Sequence, residues 1–228
     1  MCGVIGAFIS KPSEENFDTL KKVFEETEIR GLHASGVSYI KNNEVHTDLA
    51  STRARQFISD KDFSEYVNED GNLYMIGHTR YSTSDLRYNQ PIADGNISIV
   101  HNGVVSQEDP SNWKYKTRTR NDSELILHSL QQGNNPMVEF PESSQATCVL
   151  WKSKNGSPCV MGYRNGKRPL WVSKDRDYVI FTSTKDIAKR SGLENTEQCI
   201  MGNYYLRDNN SFIIDNESMS LVDMEDIQ

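Results

Sequence analysis

The chain has 228 residues, enough for one large domain or two small ones with a buried core. Its net charge of −7 argues against general binding to nucleic acids or anionic membrane surfaces. No apolar run approaches the roughly 18 residues that a membrane span needs, and the N-terminus lacks the pattern of a signal peptide. We therefore expect a cytoplasmic protein.

The first eight residues, MCGVIGAF, place a cysteine directly behind the initiator methionine. Removal of Met1 would leave the Cys2 thiol on the same residue as an α-amine. That amine, with a pKa of roughly 7.7–8.0, can act as a general base near neutral pH. The alternative is that Cys2 is a small hydrophobic residue opening a buried strand over residues 3–9. These residues alone favour the alternative.

An amphipathic helix is predicted after the first strand. Ser13 is a suitable N-cap, two glutamates follow it, and Gly31 is a suitable end. The apolar residues at helical spacing are Phe17, Leu20 and Phe24.

Short strand-like runs then continue to the end of the chain, most of them bounded by Gly, Asn, Asp or Ser. They are GVSYI, LYMIGHTRY, ISIVHNGVV, ATCVLWKS, CVMGYR, PLWVS, YVIFTS, YYLR and SFIID. Two further helices are predicted at NDSELILHSLQQ and STKDIAKRSG, the second with Ser183 as its cap and Asp186 as the cap's partner. Many strands and few helices indicate an α+β protein with mainly antiparallel sheets.

The four cysteines form no CxxC pair and have no histidines at zinc-finger spacing. We therefore expect no disulfide framework, no metal site and no cofactor. Cys148, Cys159 and Cys199 lie in apolar segments and are interpreted as small buried residues.

Polar residues gather where the predicted strands end, which is where sites are commonly built. Attack of a thiolate on an amide creates an oxyanion that needs two donors. Asn102 could supply a side-chain NH₂ and Gly103 a backbone N–H, although Asn-Gly is also a common turn signal. Taken alone, the turn is the simpler interpretation.

Two charged residues are candidate ligands for an amino acid. Arg80 follows an apolar strand and could bind a carboxylate with two hydrogen bonds, or form a surface salt bridge. Asp122 could bind an ammonium group, or cap the helix that follows it. For each residue alone, the second role is the simpler one.

Taken in order, these segments resemble the class II glutamine amidotransferases, the cysteine branch of the N-terminal nucleophile hydrolases. The matching segments are MCGVIGAF, RGLHASGV, GHTRYST, NQPI, HNGVV and NDSE, followed by YRNGKRPLWV. They span about residues 2–190. The resemblance implies a four-layer αββα sandwich with two mainly antiparallel sheets, and we expect one glutaminase domain over residues 2–228 without a synthase domain.

The resemblance also implies roles for individual residues. Cys2 resembles the nucleophile, with its amine as the base acting through a water, and Asn102 with Gly103 resembles the oxyanion hole. Arg30 resembles a supporting arginine that orders the loop near the nucleophile.

The substrate-binding residues follow in the same way. Arg80 would bind the α-carboxylate of glutamine and Asp122 its α-amine. Thr83 and Tyr81 would line the pocket.

The resemblance predicts hydrolysis of L-glutamine through a γ-glutamyl thioester. Since the 13 residues after about residue 215 are too few for a synthase domain, we expect a stand-alone subunit that passes ammonia to a separate synthase. One alternative is a hydrolase of another γ-glutamyl amide, and another is a non-catalytic assembly or regulatory module. A candidate partner contact is KYKTRTR, residues 114–120, if it forms a strand with its basic side chains on one side. A charged edge strand that resists aggregation is the simpler interpretation.

Overall fold

The computed structural model describes residues 1–81, 88–152 and 157–215, and two antiparallel sheets dominate it. The strands are β1 (Gly3–Ile9), β2 (Ala34–Lys41), β3 (Glu44–Ala50), β4 (Leu73–Arg80), β5 (Ile92–Asp94), β6 (Ile97–Val104), β7 (Ser144–Lys152), β8 (Pro158–Arg164), β9 (Trp171–Lys174), β10 (Tyr178–Thr182), β11 (Thr196–Gln198), β12 (Tyr204–Asp208) and β13 (Phe212–Asp215). The first sheet has the order β11-β9-β10-β1-β4-β2-β3, and the second has the order β13-β12-β8-β7-β6-β5.

Helices cover the outer faces of both sheets. They are α1 (Glu14–Thr27), α2 (Ala54–Ile58), α3 (Glu124–Gln131), α4 (Pro136–Glu139) and α5 (Lys185–Arg190), with short 3₁₀ helices at Glu28–Arg30, Phe63–Tyr66 and Pro110–Asn112. Within the described residues, no helix is both long enough and apolar enough to cross a bilayer.

Three hydrophobic cores separate four layers. The first joins α1 and α5 to the outer face of β1, and includes Leu20 and Phe24. The second lies between the sheets, where Phe8 and Phe181 meet side chains of β6, β7 and β8. The third packs α3 against the outer face of the second sheet. This arrangement confirms the predicted αββα sandwich.

Local sequence signals account for much of this architecture. The predicted cap of α1 is confirmed: Ser13 Oγ accepts a hydrogen bond from the Asn16 backbone, and Asn16 Oδ1 accepts one from the Ser13 backbone at 2.8 Å. Each predicted strand and helix is present. The sequence analysis missed β3, β5 and β11, because β3 is mostly polar with no fully buried residue and the other two have only three residues each.

Two local predictions are wrong. Thr184, not Ser183, caps α5 through the backbone of Ile187, because the Ser183 hydroxyl accepts a hydrogen bond from the Val4 backbone at 2.8 Å. The segment 114–120 is an irregular loop rather than a strand. Arg118 and Thr119 in this loop donate to the fully buried carboxylate of Glu124, which anchors the loop to α3.

A buried carboxylate supports the loop that follows α1. Glu28 accepts hydrogen bonds from the Arg53 side chain and, at 2.9 Å, from the Arg55 backbone. The hydrogen bond from Arg53 is the main reason why the pKa of Glu28 lies below its ordinary value of 4.5. Glu28 opens the 3₁₀ helix that ends at Arg30, so this cluster also orders the arginine predicted to support the nucleophile.

We expect Glu28→Gln to lower the free energy of unfolding at pH 7 by about 1–3 kcal/mol, because it removes charge-assisted hydrogen bonds. A depressed pKa in the folded state gives stability that is present above pH 4.5 and lost as the pH falls through the folded value. The free energies of unfolding of the wild type and Glu28→Gln, measured by urea unfolding, should therefore converge in acid. Glu197→Gln, in a surface pair with Lys174, should change little at either pH. An equal loss in both variants at pH 7 would contradict this account.

Candidate active site

One cavity of about 380 Å³ brings together five of the residues singled out in the sequence. Cys2 precedes β1, Arg80 ends β4, and these two strands are paired so that Gly3 lies opposite Thr79. Asn102 and Gly103 come from β6 of the other sheet, and Asp122 precedes α3. The cavity therefore lies where the two sheets meet at one end of the sandwich.

Cys2 is joined to the second sheet by a hydrogen bond. Its backbone N–H donates to Asn102 Oδ1 at 3.3 Å, and its carbonyl accepts from Arg30 Nε at 3.3 Å. Asn102 Nδ2 is buried and has no hydrogen-bond partner in the described part of the chain. The interpretation of Asn102 and Gly103 as a turn is wrong, since both lie within β6 and pair with β7.

Gly103 is required by the way in which β6 meets β7. Its φ is +145°, a region that favours glycine, and an added Cβ would lie 1.9 Å from the carbonyl oxygen of Ser144. The backbone at this point can therefore lie close to β7 and border the cavity. A backbone N–H in a fixed conformation at the border of the cavity is suited to be an oxyanion donor.

The two candidate ligand residues are held by neighbouring groups. Arg80 is buried, so it does not lie at the surface as a surface salt bridge would require, and its Nη1 donates to Asn89 Oδ1 at 2.6 Å. Asp122 Oδ2 accepts from the backbones of Val105 and Ser106 at 2.6 and 3.0 Å. The helix-cap interpretation of Asp122 is also wrong, because its carboxylate binds the loop after β6 instead of α3.

The remaining predicted site residues lie elsewhere. Arg30 and Tyr81 line a second cavity of about 470 Å³, and Met1 lines both cavities. Burial lowers the pKa of Arg30, although the nearby Cys2 opposes this effect. Thr83 lies outside the described residues.

Sequence reasoning missed two buried histidines that line the first cavity, His78 and His101. Burial lowers the pKa of His78 to about 3 and also lowers that of His101, so both imidazoles are neutral at pH 7. Their position in otherwise apolar strands was the available signal. Neutral imidazoles can accept hydrogen bonds there without adding charge to the cavity.

Sequence reasoning also missed Arg168 as a residue of the site, although it lines the same cavity. The turn that carries it is held by Arg164, whose side chain donates to the carbonyls of Arg168, Gly166 and Cys199 at 2.9–3.2 Å. Burial is the main reason why the pKa values of Arg30 and His101 are lowered, and the positive charge of Arg168 acts in the same direction. Arg168 therefore adds a positive charge to the wall of the cavity, opposite in sign to that of Asp122.

The three other cysteines are buried, as predicted, and burial raises the pKa of Cys148 and Cys199. Buried thiols of this kind are inert, whereas Cys2 is partly exposed to the cavity. In the described ranges, no group of three or more His, Cys, Asp or Glu side chains is placed to hold a metal ion.

A sequence profile described as the glutamine amidotransferase domain matches residues 41–213. The chain belongs to this family of enzymes. The predicted resemblance to class II glutamine amidotransferases is thereby confirmed.

Individual relatives agree with this assignment. The isomerizing glutamine–fructose-6-phosphate aminotransferase of Sulfolobus acidocaldarius is 27% identical over 197 residues, covering 82% of this chain and 32% of that protein. Its counterpart from Vibrio vulnificus is 26% identical over 198 residues, covering 75% of this chain and 31% of that protein. The chain thus spans less than a third of the length of these two relatives.

A solved structure supports the fold. Glutamine phosphoribosylpyrophosphate amidotransferase from B. subtilis superimposes with a TM-score of 0.72 at 16% identity, covering 94% of this chain and 49% of that one. The glutamine amidotransferase domain therefore has the N-terminal nucleophile hydrolase fold that the resemblance implied.

Proposed function

We propose that this glutamine amidotransferase domain hydrolyses L-glutamine through a γ-glutamyl thioester on Cys2. The observation that carries the proposal is the convergence of Cys2 with Asn102, Gly103, Arg80 and Asp122 on one cavity. Arg80 supplies a cation for the α-carboxylate, and Asp122 supplies an anion for the α-ammonium. Asn102 Nδ2 and the Gly103 N–H supply the two donors that an oxyanion needs.

The chemistry requires that Met1 be removed, so that the nitrogen of Cys2 becomes an amine. This amine accepts the thiol proton through a water, and the thiolate attacks the γ-carbonyl carbon. Collapse of the tetrahedral oxyanion breaks the C–N bond, and the same proton leaves with ammonia. A water then attacks the thioester, breaks the C–S bond and releases glutamate.

We also propose that residues 2–228 act as one glutaminase domain and that a separate synthase subunit accepts the ammonia. Apolar side chains around the second cavity support such a contact. Ile29 and Tyr81, which line this cavity and remain after Met1 is removed, are 82 and 62% exposed, and Arg30 beside them contacts the Cys2 carbonyl. Exposed apolar patches of this kind commonly mark sites of protein association.

The second cavity also supports a different candidate, the hydrolysis of larger γ-glutamyl amides. Met1 lines both cavities, so its removal would open a path from Cys2 towards Ile29, Tyr81 and Ile187. An amide substituent could occupy that space while Arg80 and Asp122 bind the amino-acid end.

We expect Cys2→Ala to abolish glutamate release and Asn102→Ala to lower kcat for glutamine by about 10²–10³-fold, because an oxyanion donor is lost. The assay is glutamate formation by untagged protein. Asn72→Ala is the matched control, since Asn72 is also a buried asparagine but adjoins the opposite end of β4. Full activity of Cys2→Ala would contradict the proposed function. If Cys2→Ala kept the biological role of the wild type, that result would favour the non-catalytic module instead.

A second assay separates the two candidate substrates. A glutaminase should hydrolyse L-glutamine in preference to L-γ-glutamyl-p-nitroanilide, and Ile29→Asp should leave that hydrolysis unchanged because Ile29 is outside the glutamine cavity. Val138→Asp is the control for added surface charge, because Val138 is also a branched apolar residue and is 73% exposed. If the wild type preferred the anilide, and Ile29→Asp but not Val138→Asp lost that preference, the result would favour the γ-glutamyl amide hydrolase instead.

A further inference from the structure

A closed ring of hydrogen bonds lies in the wall of the first cavity. The His101 backbone N–H donates to Gln90 Oε1 at 2.6 Å, and Gln90 Nε2 donates to Ser123 Oγ at 3.2 Å. Ser123 Oγ lies 2.8 Å from His101 Nδ1 and closes the ring. All three residues are buried, so these bonds are shielded from competing water.

The ring has one direction of donation. His101 Nε2 lies 3.0 Å from the carbonyl oxygen of Ser144, which can only accept, so Nε2 carries the hydrogen. The Nδ1 atom of the neutral imidazole is then an acceptor, and the Ser123 hydroxyl donates to it. Gln90 is fixed as well, because its oxygen accepts a backbone N–H. Each polar group of the ring is thereby satisfied in a single arrangement.

This ring connects the two ends of the proposed substrate site. At one end, the His101–Ser144 hydrogen bond lies against Gly103, where an added Cβ would be 2.9 Å from His101 Nε2. At the other end, Ser123 directly follows Asp122. His101 therefore lies on the strand that carries the oxyanion donors, and its imidazole is hydrogen-bonded to Ser144, which packs against Gly103, and to Ser123, which follows the ammonium ligand.

We propose that His101 is a positioning residue that sets the length of substrate the site accepts. Through Ser123 and Ser144 it fixes the distance between Asp122 and the Asn102–Gly103 donors, so that a glutamine side chain spans them. Asparagine is one methylene shorter, and its carbonyl would stop short of the donors when its ammonium is bound. This inference rests on the proposed glutaminase function.

The first test compares kcat/KM for L-glutamine and L-asparagine in the wild type, Ser123→Ala and His101→Phe. A displaced ligand of about 1 Å can cost about 10²-fold in rate, so we expect glutamine hydrolysis to fall by about 10- to 100-fold. Asparagine hydrolysis should fall less, so the ratio between the substrates narrows. Ser173→Ala is the control. It removes a buried hydroxyl of β9 that is hydrogen-bonded to Thr196 at 2.7 Å, and it should leave the ratio of kcat/KM for glutamine to that for asparagine unchanged.

Two conservative variants separate the halves of the ring. His101→Gln can keep a donor near the position of Nε2 and should restore kcat by holding the Ser144 carbonyl beside Gly103. His101→Asn can keep an acceptor near the position of Nδ1 and should restore KM by holding Ser123 beside Asp122. Kinetics identical to His101→Phe in both variants, or an unchanged substrate ratio in Ser123→Ala, would overturn the proposal.

The tautomer gives a readout that is independent of turnover. ¹⁵N NMR of labelled histidines in Cys2→Ala should show His101 protonated at Nε2 only, and Ser123→Ala should change its Nδ1 shift. A hydrogen on Nδ1 would overturn the ring. Absence of Cys2-dependent glutamine hydrolysis in the wild type would overturn the proposed function itself, whereas normal discrimination in every ring variant would overturn this inference alone.

Discussion

The hydrogen bond from the Cys2 backbone to Asn102 Oδ1 is the constraint on which the site depends. It joins residues that are 100 positions apart, and it forms only because the two sheets pack with the start of β1 facing the end of β6. The apolar layer between the sheets supplies the free energy for that packing, which no single polar contact in the cavity could supply. The sandwich therefore brings a terminal residue, which would otherwise fray, to a defined position.

Most of the buried polar groups in the wall of the cavity are hydrogen-bonded to other groups of the protein. Neutral His101 is satisfied on both ring nitrogens, and Asp122 is held by backbone N–H groups. Asn102 Nδ2 and His78 Nε2, in contrast, are buried without partners in the described part of the chain. Buried polar atoms are normally hydrogen-bonded, so a substrate or water in the cavity can supply the missing partner of each of these two atoms. Preorganised groups of this kind stabilise developing charge without the cost of reorganising water.

The sequence predicted the parts of the fold and site that depend on local signals. The capped helix after Ser13 and the long apolar strands indicated an α+β protein with mainly antiparallel sheets. The order of the motifs led to the resemblance to the glutamine amidotransferases, and that resemblance implied the αββα sandwich. Single residues were less readable, because each has a simpler local explanation. Asn102 and Gly103 resemble a turn until their pairing with β7 is known, and Asp122 resembles a helix cap until its contacts with the loop after β6 are known. The role of Glu124 and the ring around His101 were not predictable, since they depend on contacts between segments far apart in the chain.

The most direct measurement is the intact mass of untagged protein before and after reaction with 6-diazo-5-oxo-L-norleucine, a glutamine analogue that alkylates the nucleophile. We expect Met1 to be absent and one adduct to form on Cys2, with none in Cys2→Ala. Retention of Met1, or an adduct that persists in Cys2→Ala, would contradict the central claim that Cys2 is the N-terminal nucleophile.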